Sequence, residues 1–104
     1  MFQSLTQEVS QLEANLCSAF SDPTRILILY ALNEQPRNVT ELVNELGANQ
    51  STISRHLKVL RDHGLAQTPR QGVSITYTLA DARLIKALDI LRAVLHDRLK
   101  SLRF

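Results

Sequence analysis

The sequence has few of the residues on which several classes of protein depend. It contains one cysteine (Cys17), three glycines and three prolines among 104 residues. One cysteine excludes an internal disulfide framework and a metal cage built only from cysteines of one chain. The scarcity of glycine and proline favours helices over a turn-rich β-sandwich. The length predicts one domain over residues 1–104, with a modest core that oligomerisation would support.

Long uncharged segments are also missing. No stretch of about 18 residues is free of charge, which argues against a membrane span and a membrane partner. The first residues lack a basic start followed by an apolar run, so we expect no signal peptide. Apolar residues make up 44% of the chain and charged residues 21%, as in a typical globular protein. We therefore expect a soluble, cytoplasmic domain.

Positive charge is concentrated in one third of the chain, although the formal net charge is only +2. Residues 50–79 carry four basic side chains and one acidic side chain, which gives +3, whereas the remaining residues sum to −1. A local excess of this kind suits a polyanion, because neutralising phosphates releases counterions. A solvated protein surface can show the same pattern, so charge alone does not identify the partner.

Apolar spacing predicts four helices in the first two thirds of the chain. A first helix carries an apolar stripe from Leu5 to Phe20, and a second, capped by Asp22, runs over residues 24–33. Thr40 is predicted to cap a short third helix that Gly47 ends, and a fourth helix covers residues 50–62. The buried line of the fourth helix is predicted to consist of Ile53, Leu57 and Leu60.

The last third predicts a β-hairpin followed by a long helix. Strands are expected over residues 65–69 and 74–79, joined by the tip Arg70-Gln71-Gly72. The final helix begins at Ala80-Asp81 and has an apolar stripe of leucines. The first and last helices carry more apolar surface than this core needs, so residues 1–20 and 80–104 are expected to join two subunits.

This order of elements predicts a mostly α-helical fold with a small β-hairpin, the winged helix-turn-helix. The helix-turn-helix would cover residues 39–62 and the wing residues 65–79. In this motif the second helix enters the major groove, so one of its sides must be apolar and the other polar. The side chains predicted to contact bases or phosphates are Gln50, Ser51, Thr52, Ser54, Arg55, His56 and Lys58, with Arg70 at the tip of the wing. For His56, a structural hydrogen bond is the alternative to a contact with the DNA backbone.

The chain resembles the ArsR/SmtB family of transcriptional repressors from about Leu12 to Leu99. Three stretches and the end of the wing carry the resemblance: Phe20-Ser-Asp-Pro-Thr-Arg-Ile-Leu-Ile-Leu29, Gln50-Ser-Thr-Ile-Ser-Arg-His-Leu-Lys-Val-Leu60, Arg61-Asp-His-Gly-Leu65 and Ile75-Thr-Tyr-Thr-Leu79. The resemblance implies a homodimer, a pseudo-palindromic operator on double-stranded DNA and an inducer that releases the DNA. The sequence identifies neither the inducer nor the regulated genes.

Both metal sites of that family are altered here. Where many members have Cys-Val-Cys-Asp-Leu, this chain has Asn38-Val-Thr-Glu-Leu42, whose amide and hydroxyl are poor ligands for soft metals. The positions matching the site on the last helix hold Asp81, Arg83, Val94 and Asp97. A permanently charged guanidinium in place of an imidazole would repel a dication. We therefore expect no metal and no cofactor, with Asp81 and Asp97 as the remaining candidate oxygen ligands.

Three alternatives to a metal-free repressor are considered. Cys17 could make the protein responsive to thiol oxidation or a small ligand, although a small apolar filler is the simpler interpretation. The winged helix could also be a dimerisation module that does not bind DNA, but the polar front of residues 50–58 argues against it. An enzyme is not expected, because Ser54, His56 and Asp62 on one helix cannot assemble a triad.

Overall fold

Five α-helices and one short antiparallel strand pair make up the described part of the chain. The computed structural model describes residues 2–69 and 75–102. In chain order the elements are α1 (Phe2–Asn15), a 3₁₀ segment (Cys17–Ser21), α2 (Pro23–Glu34), α3 (Val39–Leu46), α4 (Gln50–Asp62), β1 (Ala66–Gln67), β2 (Thr78–Leu79) and α5 (Arg83–Ser101). Among these residues, no helix is long and apolar enough to cross a membrane.

The predicted first helix is interrupted at Leu16. The chain tightens there into the 3₁₀ segment, in which the Leu16 carbonyl accepts a hydrogen bond from the Ala19 N–H at 3.1 Å. The Ser18 hydroxyl donates to the Ala14 carbonyl at 2.8 Å and so satisfies one acceptor at the end of α1. The break turns Ala19 into the core, where it is 1% exposed, whereas residues 3–15 of α1 are exposed along their whole length.

Helix α2 begins as the sequence predicts. The Asp22 carboxylate accepts a hydrogen bond from the Thr24 N–H at 2.7 Å, and Pro23 occupies the first helical position. The helix continues through Glu34, and Ile28, Leu29 and Leu32 are buried in the centre of the molecule. This burial agrees with a helix that is apolar on most of its surface.

Helix α3 begins two residues before the position that the sequence predicts. Asn38, rather than Thr40, is the N-cap, and its side chain accepts from the Glu41 N–H at 2.8 Å. The Glu41 carboxylate in turn accepts from the Asn38 N–H at 2.9 Å, which completes a capping box. The prediction of Thr40 was wrong, because the reciprocal pair satisfies the backbone N–H groups of Asn38 and Glu41 and lets the helix begin at Val39.

The two candidate caps of α3 provide a matched test. Asn38→Ala is expected to lower the free energy of unfolding by about 1 kcal/mol, since it removes one half of the capping box. Thr40→Ala is expected to change it by less than about 0.5 kcal/mol, because Thr40 is an exposed helical residue. Urea denaturation of both variants measures the difference. Equal losses in the two variants would contradict the assignment of Asn38.

A glycine follows each of the two helices of the helix-turn-helix. Gly47 ends α3 with φ +71°, and Gly64 follows α4 with φ +77°. Only glycine adopts this left-handed backbone without strain, which agrees with both predicted helix ends. The short turn through Ala48 and Asn49 then leads into α4, where the Asn49 side chain accepts from the Thr52 N–H at 2.8 Å.

The strands of the wing are shorter than predicted. Ala66 pairs with Leu79 and Gln67 with Thr78, in an antiparallel register. Residue 65 is excluded from the strand because its N–H donates to the Leu60 carbonyl at 2.8 Å, closing the end of α4. Tyr77 pairs with Arg37 in an isolated bridge, which the sequence did not indicate. Residues 70–74, including the predicted tip, lie outside the described residues.

Helix α5 begins at Arg83, because the Asp81 side chain accepts from the Arg83 N–H at 2.9 Å at the start of the helix. Only Ile85 and Leu88 of α5 are buried, and residues 89–102 are exposed. The core to which α5 contributes lies between α2, α3, α4 and the strands. Its buried apolar members are Ala19, Ile28, Leu29, Leu32, Leu42, Ile53, Leu57, Leu60, Leu65, Ala66, Ile85 and Leu88.

Candidate nucleic-acid interface

Helix α4 is anchored on one side and polar on the other. Ile53, Leu57 and Leu60 are completely buried, as the apolar spacing predicts. The opposite side leaves five of the predicted DNA-contacting residues exposed, and Thr52 is half-buried; the exposed five are Gln50, Ser51, Ser54, Arg55 and Lys58. The burial of one side fixes the helix against the body of the protein, so the polar side projects from it.

The charged side chains of this surface differ in their partners. Lys58 donates to Asp62 at 2.9 Å, and this hydrogen bond lowers the pKa of the Asp62 carboxyl. Among the described residues, no carboxylate forms an ion pair with Arg55, whose side chain is exposed. A guanidinium without a carboxylate partner keeps its fork of donors available for a base edge or a phosphate.

His56 does not lie on the exposed surface with its neighbours. Its side chain is 8% exposed, its Nδ1 atom is 3.2 Å from the Arg25 Nη1 atom, and its Nε2 atom is 3.7 Å from the Asp22 Oδ1 atom. Burial lowers the pKa of His56, and the nearby Asp22 opposes this effect. The expectation of a DNA contact therefore needs correction, because both ring nitrogens face α2 rather than solvent. Residues 53, 56, 57 and 60 have the helical spacing of a single face, which was the available signal.

The base of the wing is held by Arg37, a residue for which the sequence indicated no role. Arg37 is 6% exposed, and its backbone exchanges two hydrogen bonds with Tyr77, at 2.8 and 3.1 Å. Its guanidinium donates to Glu34 at 2.9 Å and also binds Glu45 of α3. Arg37 thus joins α2, α3 and the strand side of the wing. The predicted contact residue Arg70 lies beyond the described part of the wing.

The sequence matches the family described as bacterial regulatory protein, arsR family, over residues 22–68, which include α2, α3 and α4. The HTH-type transcriptional regulator NmtR of Mycobacterium tuberculosis is 37% identical over 92 residues, covering 88% of this chain and 74% of that relative. The chain belongs to the ArsR family. It is a DNA-binding transcriptional regulator, and its fold is the predicted winged helix-turn-helix.

Solved structures of other proteins agree with this ArsR-family fold. The transcriptional repressor BigR from Xylella fastidiosa is similar with a TM-score of 0.74 and 28% identity, covering 94% of this chain and 96% of that one. A homodimeric winged helix-turn-helix DNA-binding domain from Mycobacterium bovis has a TM-score of 0.77 and 23% identity, covering 95% and 91%. The second likeness concerns the fold only.

A second surface of this ArsR-family chain, formed by α1 and α5, is apolar. Large apolar side chains are exposed along both helices, including Leu5, Val9, Leu12, Leu91, Val94, Leu95 and Leu99. Between the two helices is a cavity of about 420 Å³, lined mainly by apolar residues of α1, the 3₁₀ segment and α5. The exposed thiol of Cys17 is part of this lining.

The α5 position at which the resemblance implies a metal site is occupied by an ion pair. The Arg83 guanidinium donates to both carboxylate oxygens of Asp81, with the shortest distance 2.7 Å. Hydrogen bonds from the Arg83 side chain and backbone lower the pKa of Asp81 to about 2. Within residues 2–69 and 75–102, no three histidine, cysteine or acidic side chains are grouped so that they could hold a metal ion.

Proposed function

We propose that this protein is a repressor that binds a pseudo-palindromic operator as a homodimer, with no metal needed for DNA binding. The observation that carries the proposal is the two-sided character of α4, in which three fully buried side chains anchor an exposed polar surface. A helix held in this way can enter the major groove without losing its own packing. The names of its relatives, among them a repressor of Xylella fastidiosa, support repression as the outcome.

The exposed side of α4 is proposed as the surface that reads DNA. Gln50, Ser51, Thr52 and Ser54 lie at its N-terminal half and would contact base edges or nearby phosphates. Arg55 would form a bidentate pair with guanine, and Lys58 and Arg70 would bind the phosphate backbone. His56 is removed from this set and becomes a positioning residue, since its ring is buried against α2.

Helices α1 and α5 are proposed as the dimer interface. A single subunit exposes a run of leucines and valines along both helices, which is unfavourable in water and typical of a surface that another subunit covers. A two-fold axis through this surface would present two α4 helices to successive major grooves, about 34–36 Å apart. The domain from Mycobacterium bovis with the same fold is homodimeric, which supports a dimer.

The absence of a metal requirement is supported by the ion pair at α5. Asp81 already has its charge matched by Arg83, so a dication would have to displace a cation that cannot lose its proton. Asp97 alone would supply one oxygen ligand. We expect no enzymatic activity either, because Ser54, His56 and Asp62 lie along one helix and the His56 ring faces Arg25 and Asp22.

A second candidate function is a response to thiol modification or to a small apolar ligand. The observation that favours it is the exposed Cys17 in the wall of the cavity between α1 and α5. Non-reducing electrophoresis after mild oxidation distinguishes this candidate, because Cys17 is the one thiol in the sequence. A covalent dimer that Cys17→Ser abolishes, together with lost DNA binding, would favour it.

The proposed function is tested by selecting duplexes from a randomised library and measuring a binding isotherm on the enriched sequence. A metal chelator and a thiol reductant are present, so that the metal-free, reduced protein is measured. A scrambled duplex serves as competitor at one stated salt concentration. A two-fold symmetric consensus and competitor-resistant binding are expected. Failure to prefer the enriched duplex over the scrambled one would refute binding in the metal-free, reduced form.

Arg55→Ala is expected to weaken binding to the enriched duplex by about 1–3 kcal/mol and to relax preference at one base pair per half-site. The reason is the loss of a bidentate donor fork directed at one base. Arg61→Ala removes the same charge from the last turn of α4 and is expected to weaken binding to the enriched and the scrambled duplex equally. Competition assays with single-base variants measure both. Unchanged specificity in Arg55→Ala would show that another side of α4 reads the bases.

A further inference from the structure

One guanidinium joins the segment before α2 to the recognition helix α4. Arg25, in the first turns of α2, donates from Nε to the Ala19 carbonyl at 2.8 Å and from Nη2 to the Ser21 hydroxyl at 3.1 Å. Both acceptors belong to the 3₁₀ segment. The remaining nitrogen, Nη1, is 3.2 Å from His56 Nδ1 in α4, 31 residues further along the chain. Arg25 therefore connects three elements with a single planar group.

The chemistry of the two side chains determines the protonation of His56. Arginine has donors and no acceptor, so the Nδ1 atom of His56 must accept and cannot carry a proton. The proton of the neutral ring is then on Nε2, which faces the Asp22 carboxylate at 3.7 Å. The ring is thus held between a cation on one side and an anion on the other. Both partners belong to the beginning of α2.

We propose that Arg25 and His56 are positioning residues that fix how α4 is rotated against α2, and so determine where its reading surface points. This inference rests on the proposed function, because it concerns the same helix and the same DNA. His56 follows Ser54 and Arg55 directly, and these exposed residues move with it if its contact is lost. Apolar packing by Ile53 and Leu57 keeps α4 against the core, but it is non-directional and does not fix the rotation of the helix. A hydrogen bond has a preferred orientation and can fix it.

The same contact predicts that acid weakens DNA binding. Protonation places a hydrogen on Nδ1, so that the ring can no longer accept from Arg25 and carries the same charge. Burial lowers the pKa of His56 below its ordinary value of 6.5, Arg25 and Arg55 lower it further, and Asp22 opposes them. The 3₁₀ segment has no charged side chain, and Glu41 and Glu45 of α3 are bound to Asn38 and Arg37.

The sign of the pH effect follows from this lowered pKa. The unfolded state takes up the proton near pH 6.5, before the folded state does, so the folded state loses stability as the pH falls below that value. At still lower pH the folded protein itself is protonated, and the hydrogen bond to Arg25 is broken. Both stability and DNA affinity are therefore expected to decrease on acidification and to be constant above neutral pH.

The test uses the full chain, the duplex enriched by selection and the scrambled duplex. Arg25→Met and His56→Leu are each expected to weaken binding to the enriched duplex by about tenfold, with little change on the scrambled one. His56→Asn is expected to recover most of this loss, because its Oδ1 can accept where Nδ1 did. Lys86→Met is the control for loss of a positive charge, since Lys86 is exposed on the polar side of α5.

Two further readouts separate positioning from general stability. Thermal melting identifies the temperature at which each variant is folded, and binding is measured there. The affinity of the unmodified protein is measured from about pH 8 down to the lowest pH at which thermal melting shows a folded protein, and it should decrease more than that of His56→Asn, which cannot titrate at this position. His63 and His96 are present in both proteins, so the difference between the two pH profiles reports on His56 alone.

The outcomes are distinct. Wild-type affinity for the enriched duplex in folded Arg25→Met and His56→Leu would overturn the inference, as would identical pH profiles for the unmodified protein and His56→Asn. Equal loss on enriched and scrambled DNA would also overturn it, because a positioned reading surface affects specific binding. Failure of the unmodified protein to prefer the enriched duplex would instead refute the proposed function.

Discussion

Leu95→Glu is expected to produce a folded monomer that binds its operator about a hundredfold more weakly than the unmodified protein. Leu95 is 54% exposed in the single subunit, so glutamate at this position remains in water and leaves the core of the subunit intact. In a dimer that meets through α1 and α5, the same carboxylate would be buried without a partner, at a cost of several kcal/mol. Loss of the second subunit then removes the effective concentration that links two half-sites.

Ala93→Glu is the matched control for this substitution. It introduces the same charge two residues away, on the polar side of α5 that also carries Lys86 and Asp97, where all three residues are exposed. Light scattering after gel filtration should give a monomer mass for Leu95→Glu and a dimer mass for Ala93→Glu. A dimeric Leu95→Glu with undiminished affinity would place the subunit interface elsewhere.

Leu57→Ala is expected to lower the free energy of unfolding by about 3 kcal/mol. Leu57 is completely buried on the anchored side of α4, in the same apolar core as Leu29 and Leu42. The substitution removes its transfer free energy and leaves a cavity between α4 and the rest of the core, which packed neighbours fill only in part. A small domain is stabilised by only about 5–15 kcal/mol, so this loss is a large share of the total.

Leu57→Met separates the effect of volume from that of chemistry. Methionine nearly conserves the volume, so a loss below about 1.5 kcal/mol is expected. Both variants are compared by urea denaturation at one protein concentration, because the proposed dimer would make the apparent stability depend on concentration. A loss in Leu57→Ala no larger than that in Leu57→Met would contradict the central position of Leu57 in the core.

The recognition helix could be predicted well because its signals are local. Apolar residues three and four positions apart placed Ile53, Leu57 and Leu60 inside, and the structure has the predicted bounds Gln50–Asp62. The same periodicity placed most of the proposed DNA contacts outside. For His56 the structure selects the structural alternative over the contact with DNA, in agreement with its spacing from Ile53 and Leu60.

The contact between Arg25 and His56 could not be predicted from local sequence patterns. Each is a polar residue at the spacing of the buried face of its own helix, and each would be costly there without a partner. Neither helix alone indicates what that partner is. Only the packing of α2 against α4 brings the two side chains to 3.2 Å, and each then satisfies the other.

The first turns and the strands show the same division between local and distant contacts. Asp22 was predicted correctly as a cap because its acceptor and the Thr24 donor are two residues apart. Tyr77 pairs with Arg37, 40 positions earlier in the chain, and the second strand of the wing covers Thr78–Leu79. Pairing between distant segments depends on the global fold, so the propensity of residues 74–79 could not set the strand ends.

The order of the helices, the glycine turns and the polar side of α4 thus follow from short-range periodicity, since backbone geometry and capping act within a few residues. The resemblance to the ArsR family also needed only the sequence. Tertiary structure decided the burial of His56 and the role of Arg37 at the base of the wing. These features depend on which surfaces meet, and burial changes a polar side chain from a solvated group into one that must find a partner.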